Sequence, residues 1–285
     1  KAPIADKQAK ELSIHNSNRI DNYFWMRLTD DQKTASKKDK QTQKVEAYLN
    51  SENDYFDKVT ASTNDFQEAL FQEMKGRIKE DDASVPYFRN KYFYITRFEK
   101  GSQYPIYSRK SETLEAIEEI LFDVNKEAKG HEYFQLGGLN VSTDNSLVAF
   151  ATDTVSRRQY TLQIKNLKTG EILSDKIDNT TGGSVWANDN KTLFYTKKDP
   201  ITLRSSVIYR HILGTDTSED VAVFEEKDET FSTYVYKTKS HKFIVVGSSS
   251  TLSSEYRIIS ADSPFGDWKI VQPREDNLEY SLAHY

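Results

Sequence analysis

Gly182-Gly183-Ser184-Val185-Trp186 is the stretch that comes nearest to a catalytic signature. An α/β-hydrolase nucleophile sits in Gly-x-Ser-x-Gly, where a strained strand-to-helix turn leaves no room for side chains on its flanks. Here Trp186 fills the last position and would block such a turn, so the stretch reads as a surface turn at the start of a repeat. Ser248-Ser249-Ser250-Thr251 reads as a polar hairpin. His131-Glu132-Tyr133-Phe134-Gln135 opens like a zinc-peptidase helix but ends on Gln where a second imidazole is needed one helical turn on. His15, His211, His241 and His284 lie far apart with no ligand spacing, and His211, beside Tyr209 and Arg210, is expected to be buried and hydrogen-bonded. Two acidic clusters, Glu80-Asp81-Asp82 and Glu225-Glu226-Lys227-Asp228-Glu229, raise the possibility of a glycosidase carboxylate pair. Contiguous loop carboxylates are expected instead to hold solvent. No catalytic, cofactor-binding or metal-binding residue is assigned on these grounds, and no cofactor is expected.

Composition narrows the partners. Among 285 residues, 39 basic and 44 acidic side chains leave a net charge of only −5, too balanced to steer nucleic acid or an anionic membrane. There are no cysteines, so disulfides, thiolate zinc sites and a Cys nucleophile are excluded together. Seventeen Tyr and 15 Phe lean toward β structure, where flat rings pack on a pleated surface. No apolar stretch approaches the roughly 20 residues of a membrane helix. The opening Lys1-Ala2-Pro3-Ile4 has neither an initiator Met nor a leader's apolar core; the cytoplasm is expected, or the periplasm if a leader was removed.

The elements that must carry any site fall into two regions, an N-terminal helical extension over 1–80 and a β region over 81–285. Val45, Tyr48, Leu49, Tyr55, Phe56 and Val59 recur at the spacing of a helix with one buried face. Phe66, Ala69, Leu70, Met74 and Ile78 repeat it after Ser62-Thr63-Asn64-Asp65, residue types suited to an N-cap. The lysines of 33–44 read as a solvated face or loop.

From Ser84 onward strands repeat. One type recurs at Lys91–Thr96, Ser146–Ala151, Lys191–Thr196 and Lys242–Gly247, with starts 55, 45 and 51 residues apart. A second recurs at Tyr104–Tyr107, Tyr160–Gln163, Ser206–Tyr209 and Glu255–Ile258, and a third at Glu119–Phe122, Glu171–Ser174, Asp220–Val223 and Trp268–Val271. A leading strand precedes each set near Val85, Leu139, Val185 and Tyr234. Four strands per unit at a period near 50 is the pattern of a β-propeller, one sheet per blade. The fold expected is mainly β: an incomplete propeller of about four four-stranded blades, with Asn277–Tyr285 as the start of a fifth. The array is expected to continue beyond Tyr285, since a cut repeat array exposes an apolar face.

The stretches between these strands resemble the prolyl oligopeptidase family of serine peptidases, in its oligopeptidase B (protease II) branch. The resemblance is carried by Arg19-Ile-Asp-Asn-Tyr-Phe-Trp25, Glu46-Ala-Tyr-Leu49, Arg77–Asp81, Tyr104-Pro-Ile-Tyr107, Asp123–His131, Thr192-Leu-Phe-Tyr195, Arg210-His-x-Leu-Gly-Thr215, Glu225–Phe231 and Ser250–Glu255. Arg27-Leu28-Thr29 and the polar 33–43 depart from the family pattern. The resemblance implies a parent enzyme that hydrolyses short peptides after Lys or Arg. It also implies a propeller that covers the active site and admits only short chains, and N-terminal helices that wrap toward the hydrolase domain. In the family the Ser, Asp, His and specificity-setting acidic residues belong to a C-terminal α/β-hydrolase domain, so the chain alone is expected to be inactive, with that domain and short peptides as its partners. A Pro-specific oligopeptidase, a non-catalytic interaction propeller and a propeller glycosidase are the alternatives.

Overall fold

The first hairpin pairs β1 (Lys10–Ile14) with β2 (Ser17–Asp21). Its two turn residues, His15 and Asn16, take φ of 52° and 59°, the left-handed twist that a two-residue hairpin requires. The computed structural model describes residues 1–285 and divides into two units, Lys1–Lys79 and Glu80–Tyr285. In the first, α1 (Asp30–Thr34) starts from a capping box of Thr29 and Gln32, and α2 (Lys40–Thr60) from Asp39, whose carboxylate accepts from the Thr42 amide at 2.7 Å. Trp25 anchors this unit. Its Nε1 donates to the Asp6 carbonyl at 2.8 Å, and Lys44 lies over its ring while pairing with Asp6.

Two expectations fail in this unit. The apolar face of α2 is buried only at Val45; Leu49, Phe56 and Val59 are exposed, as are Phe66 and Met74 of α3 (Asn64–Gly76). A unit of 79 residues has too little apolar surface to cover both helices. The expected N-cap of α3 does not form either. A 3₁₀ turn over Ala61–Thr63 carries α2 directly into α3, and the Thr63 hydroxyl donates back to the Thr60 carbonyl at 2.7 Å.

The second unit is built from four antiparallel blades. The first comprises β3 (Tyr87–Arg89), β4 (Tyr92–Arg97), β5 (Ile106–Ser111) and β6 (Glu118–Asp123), followed by the single turn α4 (Val124–Glu127). The second contains β7 (Gln135–Val141), β8 (Leu147–Asp153), β9 (Tyr160–Asn166) and the first half of β10 (Ile172–Trp186). The second half of β10 opens the third blade, which continues through β11 (Thr192–Lys198), β12 (Ser205–Ile212) and β13 (Val221–Glu225). The fourth is β14 (Ser232–Lys237), β15 (Phe243–Ser249), β16 (Ser254–Ser260) and β17 (Lys269–Gln272). β10 changes sheets at Thr180, which pairs with Tyr160 on one side and Lys197 on the other. The buried Thr180 hydroxyl donates to the Tyr160 carbonyl at 3.0 Å, satisfying a polar group where the ladder breaks.

Apolar layers between the blades hold them together. Val148 and Phe150 of β8 pack against Tyr94, Leu121 and Phe122 of the first blade. Their neighbours Leu147, Ala149 and Ala151 turn the other way, toward Trp186, Leu193 and Tyr195 of the third. Phe194 in turn meets Ile244 and Val246 of the fourth. Both faces of β8, β11 and β15 are therefore buried, which explains their near-continuous apolar runs, whereas β4 of the first blade buries only Tyr94. Asn277–Tyr285 runs beside the fourth blade without ladder pairing: Leu278, Tyr280 and His284 bond instead to Ser254 and Ser240.

Candidate functional site

The innermost strands β3, β7, β10 and β14 end together around one cavity of about 270 Å³, into which Arg89, Asn140, Ser184 and Lys237 project. The turn after each inner strand carries residues with positive φ: Asn90 and Lys91, Asn145, Asn190 and His241. Those turns are tied blade to blade. Asn145 Nδ2 donates to the Asn90 carbonyl at 3.1 Å, the Asp144 amide to Asn190 Oδ1 at 3.1 Å, and Asn188 Nδ2 to the His241 carbonyl at 3.0 Å. Lys237 completes this rim, its Nζ reaching Asn188 Oδ1 at 2.5 Å and Thr143 Oγ1 at 3.2 Å. Burial, with Arg89 nearby, pulls the Lys237 ammonium down to about 8 despite Asp262 and Asp189. His241 is likewise lowered by burial, then by Lys237 and Arg89.

Ser184 lies on this rim and not in the surface turn expected of Gly182–Trp186. It belongs to β10 and is buried, with an Oγ that has no hydrogen-bond partner. The glycines beside it serve close approach. A Cβ on Gly182 would lie 3.1 Å from the Tyr160 ring, and one on Gly138 only 1.8 Å from the Gly182 carbonyl oxygen. No base touches Ser184, so a nucleophile's relay is absent there. Ser248 also lies in a strand, buried, and donates to Glu226; only Ser250, whose amide bonds the Ser253 carbonyl at 2.9 Å, forms the expected turn. His131 packs its ring 5.6 Å from Phe134.

His211 is buried as expected, in an arrangement its sequence neighbourhood did not reveal. Its Nδ1 lies 2.6 Å from Asp220 Oδ1 and its Nε2 2.9 Å from Asp175 Oδ1, with all three side chains essentially inaccessible. The Gly214 amide donates to Asp175 at 2.6 Å and Tyr195 Oη to Asp220 at 2.8 Å. Burial first, and then Asp220, push the Tyr195 phenol far above its ordinary value, which keeps it a neutral donor. The cluster joins Asp175 of the second blade to His211 and Asp220 of the third and is sealed between them, with no route to a substrate.

A family model described as "Prolyl oligopeptidase, N-terminal beta-propeller domain" matches residues 3–285. The chain belongs to the prolyl oligopeptidase family. Within it, the chain is 39% identical to "Dipeptidyl aminopeptidase BI" of Pseudoxanthomonas mexicana over 99% of its own length and 40% of that protein's. It is 33% identical to "Protease 2" of Moraxella lacunata, over 100% and 41%. The solved oligopeptidase B of Leishmania major superposes with a TM-score of 0.87 at 31% identity, over 100% of this chain and 41% of that one. The chain thus spans about two fifths of the length of these relatives. No helix is long and apolar enough to cross a membrane.

The stretches that resemble the prolyl oligopeptidase family do structural work in this propeller. In Arg210–Thr215, Arg210 stacks on Phe265, His211 bridges the carboxylates, and Gly214 takes φ of 85° to aim its amide at Asp175. In Glu225–Phe231, Glu226 is buried, contrary to the solvated role expected of that cluster. It pairs with Arg274 at 2.5 Å, and the same guanidinium lies over Phe231 at 3.6 Å. Burial raises the Glu226 carboxyl, but Arg274, Ser248 and the Asp228 amide together hold it below its ordinary value. A lowered folded-state value contributes stability that is present above the unfolded value and is lost as pH falls through the folded one. Glu226→Gln should therefore cost about 2 kcal/mol at pH 7 and progressively less as pH falls below the ordinary carboxylate range, as urea titrations across that range would show.

Proposed function

We propose that this chain is the propeller portion, with its N-terminal helical extension, of a serine oligopeptidase that hydrolyses short peptides after Lys or Arg. The match of residues 3–285 to the family's N-terminal propeller domain carries this reading, and the likenesses to Protease 2 and oligopeptidase B support its branch. Serine would attack the peptide carbonyl with His as general base and a backbone oxyanion hole, all supplied by an α/β-hydrolase domain outside these residues. The propeller's part is admission: stiff sheets around an axis exclude bulky substrates while short peptides pass. The exposed Phe56, Val59, Phe66 and Met74 suit contact with that hydrolase domain, and the cytoplasm is its proposed location.

Under this reading the gene continues past Tyr285 into a Gly-x-Ser-x-Gly segment. Its complete product should cleave an N-blocked Arg-linked chromogenic peptide at least a hundredfold faster than the Pro-linked analogue. A preference for Pro, or a reading frame ending at Tyr285, would overturn it. The 39% identity to a dipeptidyl aminopeptidase favours a second reading, removal of dipeptides from free N-termini. Cleavage confined to substrates with an unblocked amine would select that one.

A further inference from the structure

We propose that the cavity at the axial rim is a binding site for the terminal carboxylate of a short peptide, held between Arg89 and Lys237. The identity of the ligand rests on the peptidase reading; the site itself rests on geometry.

Two cations from the first and fourth blades face one cavity of about 270 Å³. Lys237 is bonded there only to neutral oxygens, those of Asn188 and Thr143, and an ammonium carries three donors, so one remains. Arg89 is an exposed guanidinium that lines the cavity without forming an ion pair. Ser184 also lines the cavity and carries a buried hydroxyl with no partner. Both cations line this one cavity and can pair with a single carboxylate, whose two oxygens accept several hydrogen bonds at once. Val185, Trp186 and Tyr236 also line the cavity, and give the last side chain of a peptide a carbon edge to rest on that a bare inorganic anion would not use. Terminal-carboxylate capture of this type is a recurring mode of peptide recognition.

The charges facing Lys237 set the pH dependence. Arg89 on β3 and the burial itself oppose its proton, while Asp189 in the third blade's turn and Asp262 after β16 favour it; His241 stands beside it and feels it. With the ammonium at about 8, carboxylate affinity should be full near pH 6.5 and fall as pH rises through 8, and a bound anion should raise that value.

Calorimetric titration of the full chain with acetyl-Ala-Ala and with its C-terminal amide tests the proposal, with inorganic phosphate as the third ligand. The acid should bind at least tenfold more tightly than the amide and than phosphate, and Arg89→Gln and Lys237→Gln should each weaken it at least tenfold. Arg89 is exposed, so its variant keeps the test valid if Lys237→Gln fails to fold, as a melting curve would show. Equal affinity for acid and amide, or acid binding unchanged in Arg89→Gln, would overturn the site. Phosphate binding as tightly as the acid would overturn the peptide assignment. Calorimetry reads no turnover, so a complete protein that cleaves nothing would defeat the peptidase reading while leaving this result standing.

Discussion

His211→Ala should destabilise the propeller unit by about 3–5 kcal/mol, the cost typical of removing one partner from a buried ion pair. Both ring nitrogens face carboxylate oxygens, at 2.6 and 2.9 Å. An ionised carboxylate only accepts, so with Asp175 and Asp220 both charged each ring nitrogen must donate. The imidazole is then the shared hydrogen-bond partner of two acids that have almost no water around them. Alanine would leave Asp220 with Tyr195 and Asp175 with Gly214, two dipoles in place of a charge. In a unit of about 200 residues the loss corresponds to a fall in Tm on the order of 10 °C. Adding Asp175→Asn and Asp220→Asn to the alanine variant should recover much of it, because the uncompensated charges disappear. Urea titration of the single and triple variants separates the contributions, and a single-variant loss below about 1 kcal/mol would contradict this account of the cluster.

Gly138→Ala is the second large effect. Gly138 takes φ of 52°, and a Cβ there would sit 1.8 Å from the Gly182 carbonyl oxygen. Left-handed backbone alone costs a non-glycine residue roughly 1–2 kcal/mol. The clash is with backbone, so no side-chain rotation relieves it; β7 and β10 would have to separate, and Tyr160 lies against the glycines of both strands, Gly137 and Gly182. The total should exceed about 4 kcal/mol, in the range reserved for a few severe mechanisms. Gly170→Ala is the control: its φ of 78° is similar but nothing lies within 4 Å, so it should lose only the backbone term. Similar losses in the two variants would show that blade contact is not what Gly138 protects.

These residues also show which features the sequence can reveal. The blades were legible because each is a local object: consecutive strands pair, and their turns need Asn or Gly at set points, as at Asn145, Asn190 and Gly170. The second strands were legible because one strand type recurs four times at a period near 50. The rim was not legible, because Lys237 meets Asn188 and Thr143 across 49 and 94 residues, and no local pattern encodes such a meeting. The same limit hid the role of His211, whose partner Asp175 is 36 residues away. Gly182-Gly183-Ser184 looked like a turn because Gly-Gly usually marks one; here the glycines let two strands touch. The helices failed in the other direction. Their 3.6-residue periodicity was real, but periodicity shows that a face is apolar and does not say what covers it.

Under the proposed function this propeller admits substrate and the attacking serine lies outside it. Incubating the purified chain with a fluorophosphonate serine probe, mapping adducts by mass spectrometry and assaying an Arg-linked chromogenic peptide in parallel tests that claim most directly. No adduct is expected on any serine, Ser184 and Ser248 included, and no release of chromophore. A phosphonylated serine within residues 1–285, accompanied by turnover that the probe abolishes, would contradict it.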